Sequence, residues 1–333
     1  MKINYVDIVC GLAWGDEAKG KITSHLASSG KYDYVCRWAG GNNAGHTVYI
    51  NGKKLKTHLI PSGVFYGIKS IIGPGCVLNV NSFYEEIEYL ANHGFNTSLI
   101  KVSPKTHIVT ENHLQEDLKK YHKKLGTTAK GIAPCYSAKM ARTGVRAESI
   151  LEESFIWNEE LSGNILCEGA QGFWLDVDYG NYPYVTSSTT LPYAACSLGF
   201  PPQKIRKIFG AAKIYDTRSG EDPDFPDNLL HQSDLALIGE KGQEYGVTTG
   251  RRRKVNWLNL DKLIKAINIS GATDIIISKI DILNTVNLYK ITYKNQIVEF
   301  YSMEDMKFLI DKILKSKCDN IATITYSSSP KSI

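Results

Sequence analysis

Short apolar runs bounded by glycine and polar clusters alternate along the chain with stretches of helical period. Residues 5–10, 34–37, 99–102, 164–167, 208–214 and 275–278 are such runs and predict strands. Apolar positions three and four apart predict helices over 21–28, 82–92, 258–267 and 303–314. The 82–92 helix carries Ser82 as its expected N-cap, Glu85 three residues later and Gly94 past its end. Asn51-Gly52 between 48–50 and 53–55 predicts a two-residue hairpin, and 288–293 with 297–301 a second one. Strands that alternate with helices imply an α/β fold around a mostly parallel twisted sheet with some antiparallel additions. No repeat, low-complexity tract or linker interrupts the pattern, so residues 1–333 are expected to form a single domain.

Composition changes this picture little. The chain is 43% hydrophobic and 22% charged, which excludes a disordered or coiled-coil polymer. No run reaches the roughly 20 apolar residues of a membrane helix, and residues 1–7 lack the pattern of a signal peptide. The seven cysteines show no Cys-x-x-Cys spacing, and core thiols in a reducing compartment are expected. Net charge is +5 with the basic residues spread out, so a nucleic-acid partner is allowed but not indicated.

Chemistry concentrates in Gly-rich segments. The first strand runs into Gly15-Asp16-Glu17-Ala18-Lys19-Gly20-Lys21, a near match to a phosphate-binding loop at a helix N-terminus. Ile22 stands where such loops place a magnesium-binding hydroxyl. The two acids inside the loop need another task, holding Mg²⁺ or taking a proton from a substrate. Gly40-Gly41-Asn42-Asn43-Ala44-Gly45-His46-Thr47 suits a backbone nest for a polar ligand. Thr127-Thr128-Ala129-Lys130-Gly131 offers hydroxyls and amides to a phosphate. Gln171, in Glu168-Gly169-Ala170-Gln171-Gly172, follows a strand and could read an oxo-purine edge. Thr248-Thr249-Gly250-Arg251-Arg252-Arg253-Lys254 suits either a solvated basic patch or an anion-binding loop. Lys279 and Asp281 at a strand end hint at guanine, whose ring N–H and amino group a carboxylate can accept together.

These segments, in this order, resemble the adenylosuccinate synthetase family from Val9 to the C-terminus. The resemblance implies joining of L-aspartate to IMP through a 6-phosphoryl intermediate, with GTP as co-substrate and Mg²⁺ as cofactor. It implies a catalytic set of Asp16 (base), His46, Lys19 and Gln171. GTP would meet residues 15–21 (Gly15, Asp16, Glu17, Ala18, Lys19, Gly20, Lys21), then Gly45, His46, Thr47, Arg253, Lys279, Ile280, Asp281, Ser327, Ser328 and Ser329. The 6-oxo nucleotide would meet Asp16, Lys19, Asn43, Ala44, Gly45, His46, Thr128, Gln171, Thr186, Ser219 and Arg251, with Arg142 supplied by the partner of a homodimer. Val247, Thr248, Thr249, Gly250, Arg251, Arg252 and Arg253 would bind aspartate, and Asp16 with the Gly45 carbonyl would hold Mg²⁺. A cytoplasmic protein is implied, in the host cytoplasm if viral. The chain departs from the family pattern at Ala18, Ala129, Lys130, Ala133 and Ser219, and it is shorter after Arg146 and between Leu283 and Ile324. Short forms occur in archaea and phages, and some phage relatives act on dGMP instead, which leaves that substrate as the alternative. Retention of Asp16, Lys279 and Asp281 favours IMP and GTP. A GTP-binding switch without ligase activity would need neither Gln171 nor the arginine loop.

Overall fold

The computed structural model describes residues 2–50, 52–246 and 250–329. Its centre is an eight-stranded sheet. The strands are β1 (Ile3–Gly11), β2 (Tyr34–Arg37), β3 (Lys69–Ile72), β4 (Ile100–Val102), β5 (Gly163–Glu168), β6 (Ile205–Lys213), β7 (Asp274–Ser278) and β8 (Thr323–Ser327). Their spatial order is β8-β7-β6-β1-β5-β2-β3-β4, and every pairing is parallel. Parallel strands are covered on both faces, so they read as continuous apolar runs rather than alternating ones. Val6, Ile8, Cys36, Ile165 and Cys167 pack below one face, whereas Val9, Val35, Leu166, Ala211 and Ile276 pack on the other.

β1 lies where the connections part: β2 to β5 form on one side of it, β6 to β8 on the other. Register brings the strand ends to one edge. Gly11 pairs with Ala211, Glu168 with Val9 and Arg37, and Lys213 with Ser278, which pairs with Ser327. In open parallel sheets ligands collect at this carboxyl edge, at the switch point.

The two expected hairpins are His46–Ile50 with Lys53–Thr57 and Lys290–Tyr293 with Gln296–Glu299, and a third antiparallel pair, Tyr215–Arg218 with Lys254–Asn259, was not expected from sequence. Asn51, expected in the first hairpin's turn, lies outside the described residues.

Several boundaries differ from expectation. The helix over 82–92 spans Val80–Asn92 and is capped by Asn79, whose side chain accepts from the Ser82 N–H at 2.9 Å. Asn79 displaces Ser82 because it presents its acceptor one turn earlier. Leu258 begins no helix: Lys254–Asn259 is a strand, and Asn259 caps the helix Leu260–Ser270. The first helix is Lys19–Ala27, so Lys19 and Gly20 belong to it. Strands β3 and β8 and the helices Ile132–Ala141 and Ile280–Val286 were not legible as periodic patterns, being short and flanked by polar residues.

Candidate active site

The loop after β1 is organised by Glu17. Its carboxylate is buried; Oε1 accepts from the Ala13 and Gly15 N–H groups at 3.0 and 2.7 Å, and Oε2 from Lys19 Nζ at 2.7 Å. Lys19 Nζ also donates to the Gly15 carbonyl at 2.7 Å. Glu17, expected among the GTP ligands, thus spends both oxygens inside the loop and leaves Asp16 as the acid facing outward. Ala18 sits at φ 68°, a left-handed conformation that glycine adopts without strain and alanine does not. Gly172 is required beside this loop, since a Cβ there would meet Glu17 Oε1 at 2.4 Å.

His46 begins its strand against the loop. Its Nδ1 is hydrogen-bonded to Glu168 Oε1, and Glu168 further accepts from the Ser62 N–H at 2.8 Å and its hydroxyl at 3.0 Å. Burial lowers the His46 pKa, against the pull of Glu168. Burial would raise Glu168, but His46, Arg37 and the Ser62 N–H hold it below the usual carboxylate range. The lowered His46 pKa favours an imidazole that donates Nδ1–H to the Glu168 carboxylate, an arrangement that turns Nε2 away from Glu168. Gln171 follows β5 at φ 55°, and its buried Oε1 has no hydrogen-bond partner among the described residues. A buried amide oxygen left unpaired is unfavourable unless a ligand completes it.

A cavity of about 240 Å³ opens here. Gly15, Asp16, Asn43, Ala44, Gly45, His46, Thr128, Gln171, Thr186, Ser219 and Arg251 all line it. Buried Asp117, not foreseen from sequence, shapes its wall by accepting from the Thr127 hydroxyl at 2.6 Å and the Gly131 N–H at 2.8 Å. The Ser219 hydroxyl donates to Asp16 Oδ2 at 3.3 Å. Arg253 Nε lies 2.8 Å from the same oxygen, an ion pair without hydrogen-bond alignment. Arg253 and Lys254 are buried in ion pairs, with Glu244 and with Glu221 and Asp227 respectively. Half of the basic run is therefore buried in ion pairs, whereas Arg251, on the cavity wall, and Arg252 are exposed.

A second cluster lies further along the carboxyl edge. The strand β7 ends at Ser278; Lys279 is left-handed at φ 71°, and Asp281 falls in the first turn of Ile280–Val286, not on a strand. Lys21 Nζ donates to the Ser327 hydroxyl and the Ser329 carbonyl, each at 2.5 Å. Its pKa is pulled down to about 8 by burial, with Asp281 opposing and Lys279 adding to the shift. Lys21, Lys279, Asp281, Ser327 and Ser329 are thus gathered, while Ile280 turns into the core and Ser328 is exposed. Gly20 packs on His46, where an added Cβ would lie 2.8 Å from the His46 Cβ. Thr47 lies in the hairpin outside the cavity wall, and Gly250 is exposed at φ 65°. Arg142 is exposed after Ile132–Ala141, outside its own chain's cavity. Val247, Thr248 and Thr249 lie outside the described residues.

Comparison with known proteins identifies the family. The family model described as adenylosuccinate synthetase matches residues 8–163 and 153–307. The adenylosuccinate synthetase of Shouchella clausii is 36% identical over 358 residues, covering 88% of this chain and 82% of the relative. That of Lactococcus lactis subsp. cremoris is 37% identical over 343 residues, covering 85% and 79%. The fully ligated adenylosuccinate synthetase of Plasmodium falciparum superposes with a TM-score of 0.83 at 28% identity over 98% of both chains. A cyanophage S-2L succinoaminodeoxyadenylate synthetase, bound to dGMP and dATP, superposes at 0.76 with 18% identity over 99% and 94%, a likeness of fold. A phosphate-type loop after β1, a cavity at the switch point and matches over most of the chain place this protein in the adenylosuccinate synthetase family.

Proposed function

We propose that this chain ligates L-aspartate to IMP with GTP, giving adenylosuccinate, GDP and phosphate. The observation that carries the reading is the shared cavity of Asp16, His46 and Gln171, with the unpaired Gln171 Oε1 in its wall. Gln171 would hold the purine edge while Asp16 takes the ring proton beside the 6-oxygen. That oxygen then attacks the γ-phosphate, and the aspartate amine displaces the resulting phosphate, a far better leaving group than oxide. His46, oriented by Glu168, and Lys19 would meet the charge that develops on the transferring phosphoryl group. Asn43, Thr128 and Thr186 would bind the nucleotide phosphate, Arg251 and Arg253 the aspartate carboxylates, and Lys279 and Asp281 the guanine.

Mg²⁺ fits the donors present. The Asp16 carboxylate and the Gly45 carbonyl are hard oxygen donors on the same cavity wall. The described residues hold no group of three His, Cys, Asp or Glu side chains able to bind a metal alone. A two-donor site is what Mg²⁺ uses when phosphate oxygens and waters complete its shell. Bound there, it would neutralise charge on the GTP phosphates.

We read the chain as one domain, supported by a sheet whose strands run from Ile3 to Ser327. A homodimer in which Arg142 enters the neighbouring site is supported by the exposure of Arg142 and of Met140 beside it. A cytoplasmic setting is supported by the seven free cysteines. The test is an initial-rate assay of GTP hydrolysis with each of IMP and aspartate withheld in turn. Phosphate release that requires both supports the ligase; release without aspartate supports a nucleotide switch instead.

A further inference from the structure

Glu244 has no part in the chemistry above, yet it sits beneath the site with 1% of its surface exposed. Its Oε2 accepts from Arg253 Nη1 at 2.6 Å and Lys213 Nζ at 2.9 Å. Its Oε1 accepts from the Tyr215 hydroxyl at 2.8 Å and lies 3.8 Å from Lys279 Nζ. Burial alone would raise this carboxyl, but Lys213, Arg253 and Lys279 together pull it down to about 2. The partners come from separate elements. Lys213 ends β6, Tyr215 opens the next strand, Lys279 follows β7, and Arg253 precedes the strand Lys254–Asn259. The main chain adds a tie, the Arg253 N–H donating to the Glu244 carbonyl at 2.9 Å.

Buried ion clusters bring little net stability compared with apolar packing, because desolvation offsets the attraction. What the cluster does supply is direction. Nη1 is hydrogen-bonded to Glu244 and Nε is ion-paired with Asp16, so the planar Arg253 guanidinium is anchored at one nitrogen and drawn toward Asp16 at another. The same carboxylate faces Lys279 of the guanine cluster, on the far side of β6 from the phosphate loop.

We propose that Glu244 is a positioning residue: it aims Arg253 beside Asp16 and places its charge against Lys279, whose ammonium the Gly242 carbonyl holds at 2.8 Å, so that one buried carboxylate serves both ends of the GTP site. The proposal rests on the reading of Arg253 and Lys279 as nucleotide ligands. Glu244→Gln keeps the shape but removes the charge and puts an NH₂ against a cation. Tyr215→Phe keeps the charge and frees Oε1 of one anchor.

The test combines initial rates at varied GTP, aspartate and IMP with calorimetric binding of a non-hydrolysable GTP analogue in the absence of aspartate. A hydrogen bond between charged groups is strong enough that Glu244→Gln should raise KM for GTP and for aspartate about 10- to 100-fold, with KM for IMP changed less than about threefold. Analogue binding should weaken in parallel. Tyr215→Phe should move the same two constants in the same direction by about two- to tenfold, and it decides the matter alone if Glu244→Gln does not fold. A merely structural Glu244 would lower kcat with the folded fraction and leave all three KM values, or raise them alike; either result overturns the proposal. GTP turnover by the wild type without aspartate would count against the ligase reading, whereas unchanged analogue binding in both variants counts against Glu244 itself.

Discussion

Glu168→Gln is the sharpest probe of how His46 is held. The carboxylate is fully buried and receives three donors: His46 Nδ1, the Ser62 N–H at 2.8 Å and the Ser62 hydroxyl at 3.0 Å. A glutamine has the same outline but only one acceptor oxygen, and its NH₂ must face a former donor. Either His46 reverses its tautomer or a Ser62 bond is lost. Leaving one buried donor unpaired should lower stability by about 1–3 kcal/mol, enough to lower the melting temperature but not to unfold the chain. The catalytic effect should be larger. The variant can no longer stabilise positive charge on the imidazole as the phosphoryl group moves. Positioned acid–base groups contribute about 10²–10⁴-fold, and kcat should fall within that range while KM for GTP and IMP changes little. The assay is continuous phosphate release at saturating substrates, with a melting curve to establish that the variant is folded. A folded Glu168→Gln enzyme that keeps more than about a third of wild-type kcat would refute the reasoning, since general acid–base losses are far larger; Glu168 would then serve Ser62 alone.

On the proposed reading of Asp281 as the guanine acceptor, Asp281→Asn should weaken GTP about 10- to 100-fold while leaving ATP use unchanged; competition assays with the two nucleotides check this. Gly172→Ala should disorganise the phosphate loop, because the new methyl would meet Glu17 Oε1 at 2.4 Å and the Ala13 carbonyl at 2.5 Å; a wild-type melting temperature together with wild-type turnover would contradict it. Burial raises the buried Asp216 carboxyl from 3.8 to about 7, so its stabilising contribution is full below pH 3.8 and lost as pH rises through 7. Between pH 5 and 7 the stability of Asp216→Asn should therefore gain on the wild type by up to about 3 kcal/mol, and parallel denaturant curves at the two pH values measure the difference.

The apolar runs of β1, β2, β5, β6 and β7 were legible because buried parallel strands need no polar face. The Gly-rich loops between them were equally plain, since a tight phosphate cradle restricts residue choice. What escaped the sequence depends on partners far along the chain. Nothing local distinguishes Glu244 from a solvated glutamate; its meaning lies in Lys213, Tyr215 and Lys279, which the fold brings to it. Asp117 likewise becomes a site residue only when Thr127 and Gly131 close on it. Glu17 read as a ligand because it stands in the loop, yet the loop folds around it. Boundary errors were of another kind. Asn79 and Ser82 are both competent caps, and the extended backbone at Asn79, just before Val80, decides between them.

The central claim is a ligation of aspartate to a 6-oxopurine nucleotide. It is tested most directly by offering the purified protein IMP, GMP, dIMP and dGMP separately with GTP, Mg²⁺ and L-aspartate, and identifying the nucleotide product by mass. The account predicts a succinylated product from IMP, formed with one phosphate released for each molecule ligated and none formed without aspartate. A succinylated product from dGMP with none from IMP would contradict the substrate assignment, and GTP consumption with no succinylated product from any of the four would contradict the ligase itself.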